Sequence, residues 1–117
     1  MNISHTFIGD LIVSLSNGTN TIDLLNTPLN SSGNNCSSND IDVTLSDSAT
    51  SPINEGSCNS LSNAQAFTSG AVLSPFQALS VFNGANVNGT WTITISDNAG
   101  VDIGTINSWS LDFDIGR

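Results

Sequence analysis

Basic residues are all but missing from this chain. Arg117 stands alone against ten carboxylates, for a formal charge of −9. Gripping a phosphate backbone takes Lys and Arg, so nucleic acid is excluded as a partner. An anionic membrane surface is excluded for the same reason, and cations are the natural counterpart of so acidic a chain. Charge of either sign is scarce, at 9% of residues against the about 25% that is usual, so solubility rests on Ser, Thr and Asn. His5 is the only histidine, and neither Cys36 nor Cys58 sits in a CxxC arrangement. A zinc site therefore lacks ligands. No run approaches the ~20 apolar residues of a membrane-spanning helix. The opening Met1-Asn2-Ile3-Ser4-His5 is neither basic nor apolar, unlike a signal peptide.

The two cysteines read as one disulfide, Cys36 to Cys58, closing a Ser/Asn-rich stretch. That implies an oxidising compartment and a secreted, extracellular protein; two free buried thiols are the alternative. A secreted chain with no export signal of its own is expected to be a piece of a longer precursor.

With 117 residues there is room for one domain and not for two. The apolar residues, 38% of the total, are gathered into short runs of period two, which argues against disorder. Leu11, Val13 and Leu15 alternate with Ile12, Ser14 and Ser16; Asn17-Gly18 then makes a turn, and residues 21–25 return as the second arm of a hairpin. Ile41, Val43 and Leu45 alternate with Asp42, Thr44 and Ser46. Trp91, Ile93 and Ile95 face one way, as do Trp109, Leu111, Phe113 and Ile115, and these two runs are expected to pair as a hairpin across residues 97–104. Residues 46–63 read as an irregular connection tied down by Cys58. Between 64 and 90, Phe67, Val72, Leu73, Phe76, Leu79, Val81 and Phe82 supply core volume, with a short helical turn near 76–79. Short strands with frequent turn signals predict an all-β fold, a jelly-roll-like antiparallel β-sandwich with one face of each sheet apolar.

Catalysis finds little to work with. A serine nucleophile needs a base, His5 is the sole candidate, and no GxSxG elbow exists. His5 reads as a structural, hydrogen-bonded residue; a small hydrolase using it with an acid is the rival. Asp112 and Asp114 share one strand face, but it is the polar outer one. Calcium is the best ligand, because hard cations want several oxygens on a loop able to wrap them. The 97–104 loop offers Asp97, Asn98 and Asp102, with glycines for the bend. A second cluster is Asp47 with Glu55, aided by Asp40 or Asp42. Asx turns that cap their own backbone explain the same residues without metal. Trp91 and Trp109, in phase with their apolar neighbours, read as core and not as a sugar platform.

Ile3-Ser4-His5-Thr6-Phe7-Ile8-Gly9-Asp10-Leu11 resembles the opening signature of the P domain, also called P/Homo B. That domain follows the catalytic domain of subtilisin-like proprotein convertases and occurs in secreted bacterial serine and metalloproteases. Further matches come in the same order: Leu79-Ser80-Val81-Phe82-Asn83-Gly84, then Asn88-Gly89-Thr90-Trp91-Thr92-Ile93 with Ser96-Asp97, then Gly104-Thr105 and Ser108-Trp109-Ser110-Leu111. Several ordered motifs spread over residues 3–115 are far more specific than any one of them. The family usually carries strand-forming sequence before the Ile-Ser-His-Thr signature. Residues 1–117 are thus expected to be a single P-type domain, either cropped of N-terminal strands or left with a sheet edge open to a partner strand. The resemblance implies a non-catalytic accessory domain beside the catalytic protease domain of the same precursor. It also implies a role in stability or in contact with a protein or polysaccharide substrate, and calcium in some relatives. The alternative is a stand-alone carbohydrate- or surface-binding adhesion module.

Overall fold

In the computed structural model, residues 1–61, 64–97 and 104–113 are described. Nine strands follow in order: β1 (Asn2–His5), β2 (Leu11–Ser16), β3 (Thr21–Asn26), β4 (Leu29–Asn30), β5 (Ile41–Leu45), β6 (Glu55–Cys58), β7 (Ala71–Leu73), β8 (Thr92–Asp97) and β9 (Gly104–Ser108). One sheet has the order β7-β5-β1-β9, a second β3-β2-β8, and β4 and β6 form a small pair of their own. The fold is all-β, and its two main sheets are largely antiparallel. Two pairings, β5 with β7 and β4 with β6, run parallel.

The hairpin of β2 and β3 forms where the Asn-Gly turn puts it. Asn17 Oδ1 accepts the N–H groups of Thr19 and Asn20 at 3.0 and 2.8 Å, and Gly18 takes the left-handed φ of 92° that the bend needs. Leu11, Val13 and Leu15 are buried while Ile12, Ser14 and Ser16 are not. A bulge opposite Val13/Ser14 lets the consecutive Leu24 and Leu25 of β3 both turn inward. Those residues meet Ile3, Ile41, Val43 and Leu73 from the other sheet in one core, which also takes in the disulfide.

Three sequence expectations need correction. Among the described residues, 91–96 and 109–113 do not form a hairpin: β8 pairs with β2 in one sheet, and the last described strand is β9, which pairs with β1 in the other. The connection between β8 and β9 therefore crosses from sheet to sheet, as the 3-10 turn Ile8–Asp10 does between β1 and β2. Residues 109–113 are not strand, and the β1–β9 ladder ends where Asn2 faces Ser108; Asp114 and Ile115 lie outside the described residues. The alternation survives without the ladder, with Trp109 and Leu111 half-buried and Ser110 and Asp112 exposed. Finally, Val72, Phe76 and Val81 are exposed and add nothing to the core that Phe67 and Leu73 enter. The helical turn falls at Leu79–Phe82, slightly later than the sequence suggested.

Burial is lopsided. The β2 face is fully covered, but every residue of β9 is exposed and the inward residues of β8, Ile93 and Ile95, are only half-buried. Among the described residues, the side of the sandwich with β8 and β9 is the less covered one.

Candidate functional site

The sole histidine is the junction of the two sheets. The backbone N–H of His5 donates to Asp40 Oδ1 at 2.9 Å, and its carbonyl accepts the Asp40 N–H at 3.1 Å. Its ring Nδ1 accepts the Phe7 N–H at 3.1 Å, which places the ring proton on Nε2, where it meets Asp97 Oδ2 at 2.7 Å. Asp97 closes β8 and pairs through its backbone with Leu11, so this single bond spans the sheets. Gly104, which opens β9 opposite His5, completes the arrangement. A Cβ there would lie 2.5 Å from the ring Cδ2 and 2.6 Å from the Ser4 carbonyl oxygen. The residues on either side of segment 98–103 are thus both held against one imidazole.

These contacts decide what the ring can do. A general base needs one nitrogen facing its substrate, with the other held by its orienting carboxylate. Here the nitrogen opposite the carboxylate accepts from the main chain, and the residue is buried. As placed, His5 supports structure and not proton transfer.

The opening signature is now legible position by position. Ile3, Ile8 and Leu11 fill the core. Gly9 lets the 3-10 turn press against the disulfide: its N–H donates to the Cys36 carbonyl at 2.8 Å, and a Cβ would lie 2.7 Å from the Cys36 nitrogen. Cys36 is joined to Cys58, with Cα atoms 6.3 Å apart.

The residues proposed for calcium are scattered among different tasks. Asp97 binds His5. Asp47 directs both carboxylate oxygens at backbone donors, Leu79 N–H at 2.8 Å and Ser80 N–H at 2.9 Å, and so caps the second 3-10 turn from a distant loop. Each oxygen accepts a single backbone N–H and keeps a lone pair that a cation could share. Glu55 is exposed at the start of β6. Asp40 holds the His5 backbone, and Asp42 Oδ2 accepts the Ser69 hydroxyl. Asn98 and Asp102 lie outside the described residues. Among the described residues, no three His, Cys, Asp or Glu side chains converge as a metal-binding group.

The second feature is a groove of about 780 Å³ at the less covered side, walled by Leu79, Phe82, Trp91, Ile93, Trp109 and Phe113 among others. The Asp47-capped turn carries Leu79 and Phe82 into its wall. Trp91 lies between two phenyl rings, with centroids 5.0 Å from Phe82 and 5.2 Å from Phe113, and its Nε1 donates to the Val87 carbonyl at 3.1 Å. An indole flanked in this way is no open platform for a sugar ring. The Asp47 cap and the His5–Asp97 bond were both missed by sequence reading. Only the glycines at 9 and 104, each within a family-like motif, hinted at close approach.

The fold and the site define an all-β domain tied by a disulfide, with its one histidine fixed into the framework. The proprotein convertase P-domain model matches residues 1–113. This chain belongs to that family, one of non-catalytic accessory domains that associate with a protease catalytic domain. No curated protein and no solved structure matches it. Among the described residues, no helix is long and apolar enough to cross a membrane.

Proposed function

We propose that this chain is the accessory domain of a secreted protease of the bacterial subtilisin-like or metalloprotease type. On this reading it stabilises the catalytic domain carried on the same polypeptide and contacts substrate. The family match across residues 1–113 carries the reading. Support comes from the disulfide, which suits an extracellular location. The half-buried indoles of the open groove offer apolar surface for packing against a neighbouring domain. Deleting the domain from its parent enzyme should shorten the enzyme's half-life at elevated temperature while leaving turnover of a small chromogenic substrate intact. Equal half-lives with and without the domain would defeat the proposal.

Calcium remains part of the proposal, chiefly at the 97–102 stretch, where Asp97, Asn98 and Asp102 would supply oxygens and order the loop between the sheets; Asp47 with Glu55 is the second candidate cluster. Preferential binding to the folded form would raise the melting temperature in millimolar calcium, and Asp102→Ala would abolish the increment. Identical melts in calcium and in EDTA remove the metal from the account.

A further inference from the structure

The dipeptide Asn-Gly occurs three times, at 17–18, 83–84 and 88–89, and the fold treats the three copies differently. Glycine brings no Cβ to shield its nitrogen, so that nitrogen can reach the Cγ of the asparagine before it. At 17–18 both partners are held. Asn17 Oδ1 accepts two backbone N–H groups, and the Gly18 N–H donates to Ser16 Oγ at 3.1 Å. At 83–84 the pair fills the centre of a turn closed by the Ala85 N–H on the Phe82 carbonyl at 3.0 Å. Asn83 has φ −60° and ψ 135° and Gly84 has φ 80°, a type II bend, and the Asn83 N–H is itself bound to the Ser80 carbonyl at 3.0 Å. At 88–89 the Asn88 N–H donates to Asn86 Oδ1 at 2.9 Å, but among the described residues the Asn88 carboxamide and the Gly89 N–H have no partner. Asn88, Gly89 and Thr90 are all exposed.

We propose that Asn88 is a site of spontaneous modification, deamidating through a succinimide to aspartate and isoaspartate, and that the isoaspartate product reshapes the groove wall at Trp91. The reaction exchanges one C–N bond for another. The Gly89 N–H yields its proton to solvent base, the nitrogen bonds to Asn88 Cγ, and the Cγ–Nδ2 bond breaks as ammonia takes up a proton and leaves. Water then opens the succinimide ring. Attack at Cγ gives aspartate; attack at the main-chain carbonyl gives isoaspartate, whose chain runs through Cβ and Cγ with one more backbone carbon. An amide and water have become a carboxylate and ammonium, with nothing oxidised or reduced. The position of the site gives the change its effect. Trp91 Nε1 reaches back over residues 88–90 to the Val87 carbonyl at 3.1 Å, and Val87 and Trp91 both line the groove. A further backbone carbon inside that span lengthens it, and the new carboxylate adds to a charge already at −9. The groove of an aged molecule thus differs from that of a new one, whichever enzyme the domain accompanies.

Ageing the folded domain in warm, mildly alkaline buffer tests this. Chymotryptic cleavage after Phe82 and Trp91 releases residues 83–91 with both exposed pairs in one peptide, and fragmentation in the mass spectrometer assigns each gain of one mass unit. Asn88 should convert first, with Asn17 slower by about tenfold or more. A factor of ten corresponds to about 1.4 kcal/mol, less than the three hydrogen bonds at 17–18 are worth together. In denaturant the three rates should converge, since every pair is then equally unprotected. Tryptophan emission should drift with the isoaspartate content of the wild type and hold steady in Asn88→Gln, whose longer side chain closes its ring far less readily. Asn88→Asp, which supplies the charge without the extra carbon, should shift emission less. Faster conversion at Asn17 or Asn83, or an order that persists in denaturant, would overturn the assignment to Asn88, as would no conversion at all. Isoaspartate at 88 with unchanged emission would overturn the effect on the groove.

Discussion

Replacing His5 by Phe keeps a flat ring in the core while removing both side-chain hydrogen bonds, so it isolates the link between the sheets. The Phe7 N–H loses its acceptor, at a cost of about 1–2 kcal/mol for a partly buried donor. The bond to Asp97 is charge-assisted, but its carboxylate is 27% exposed and can rehydrate, so about 1–2 kcal/mol is lost there. The sum, about 2–4 kcal/mol, corresponds to a fall in melting temperature of about 10–15 °C for a domain of this length. Chemical denaturation of the wild type, His5→Phe, Asp97→Ala and the double variant gives a cycle in which other contacts of Asp97 cancel. The coupling should be about 1–2 kcal/mol. Additivity within about 0.4 kcal/mol would show that the two sheets are not joined through this pair.

Gly104→Ala should reproduce most of the His5→Phe loss, since its methyl group needs the space of the imidazole and of the Ser4 carbonyl; an unchanged melt would contradict that packing. Gly9→Ala meets backbone atoms of Cys36, which cannot swing aside, and should be at least as damaging by thermal melt, while Gly9→Ser offers no rescue. Reduction of the disulfide removes about 3 kcal/mol of chain-entropy stabilisation for its 22-residue separation and should lower the melt by about 10 °C, whereas equal melts in oxidant and reductant would mean no bridge. Asp47→Ala removes a two-pronged cap and should cost about 1 kcal/mol, accompanied by a change in tryptophan emission as Leu79 and Phe82 loosen against the groove; Asp47→Asn, with one acceptor, should fall between.

Strands were legible where a single face is buried. Leu11, Val13 and Leu15, and Ile41 and Val43, announce their direction by period two alone, and the Asn17-Gly18 turn fixes the register of the first hairpin. The pairing of β8 and β9 was not legible, because alternation says which side chains turn inward and nothing about which neighbour a strand takes. Two amphipathic runs joined by a polar loop look alike whether they pair with each other or sit in opposite sheets. The same limit hid the roles of the acids. Asp47, Asp40 and Asp97 read as loop carboxylates awaiting a cation, yet their partners are backbone groups 33 residues away at Ser80, 35 away at His5, and an imidazole 92 residues away. Only the chain path brings those donors near.

The pairing of β1 with β9 also sets a timetable for the molecule. Asn2 and Asn107 are joined side chain to side chain across 105 residues, and the ladder they belong to links nearly the first residue to nearly the last. Contacts of such long range form late and slowly. At a translation rate of about 5–20 residues per second, the β1 segment, with β5 already available on one side, waits some seconds before its second partner, β9, is even synthesised. During that interval Ile3 and Ile8 have no complete core to enter. Folding of this domain is therefore an event that follows its synthesis, and nascent chains arrested before Gly104 should remain sensitive to protease and depend on chaperones.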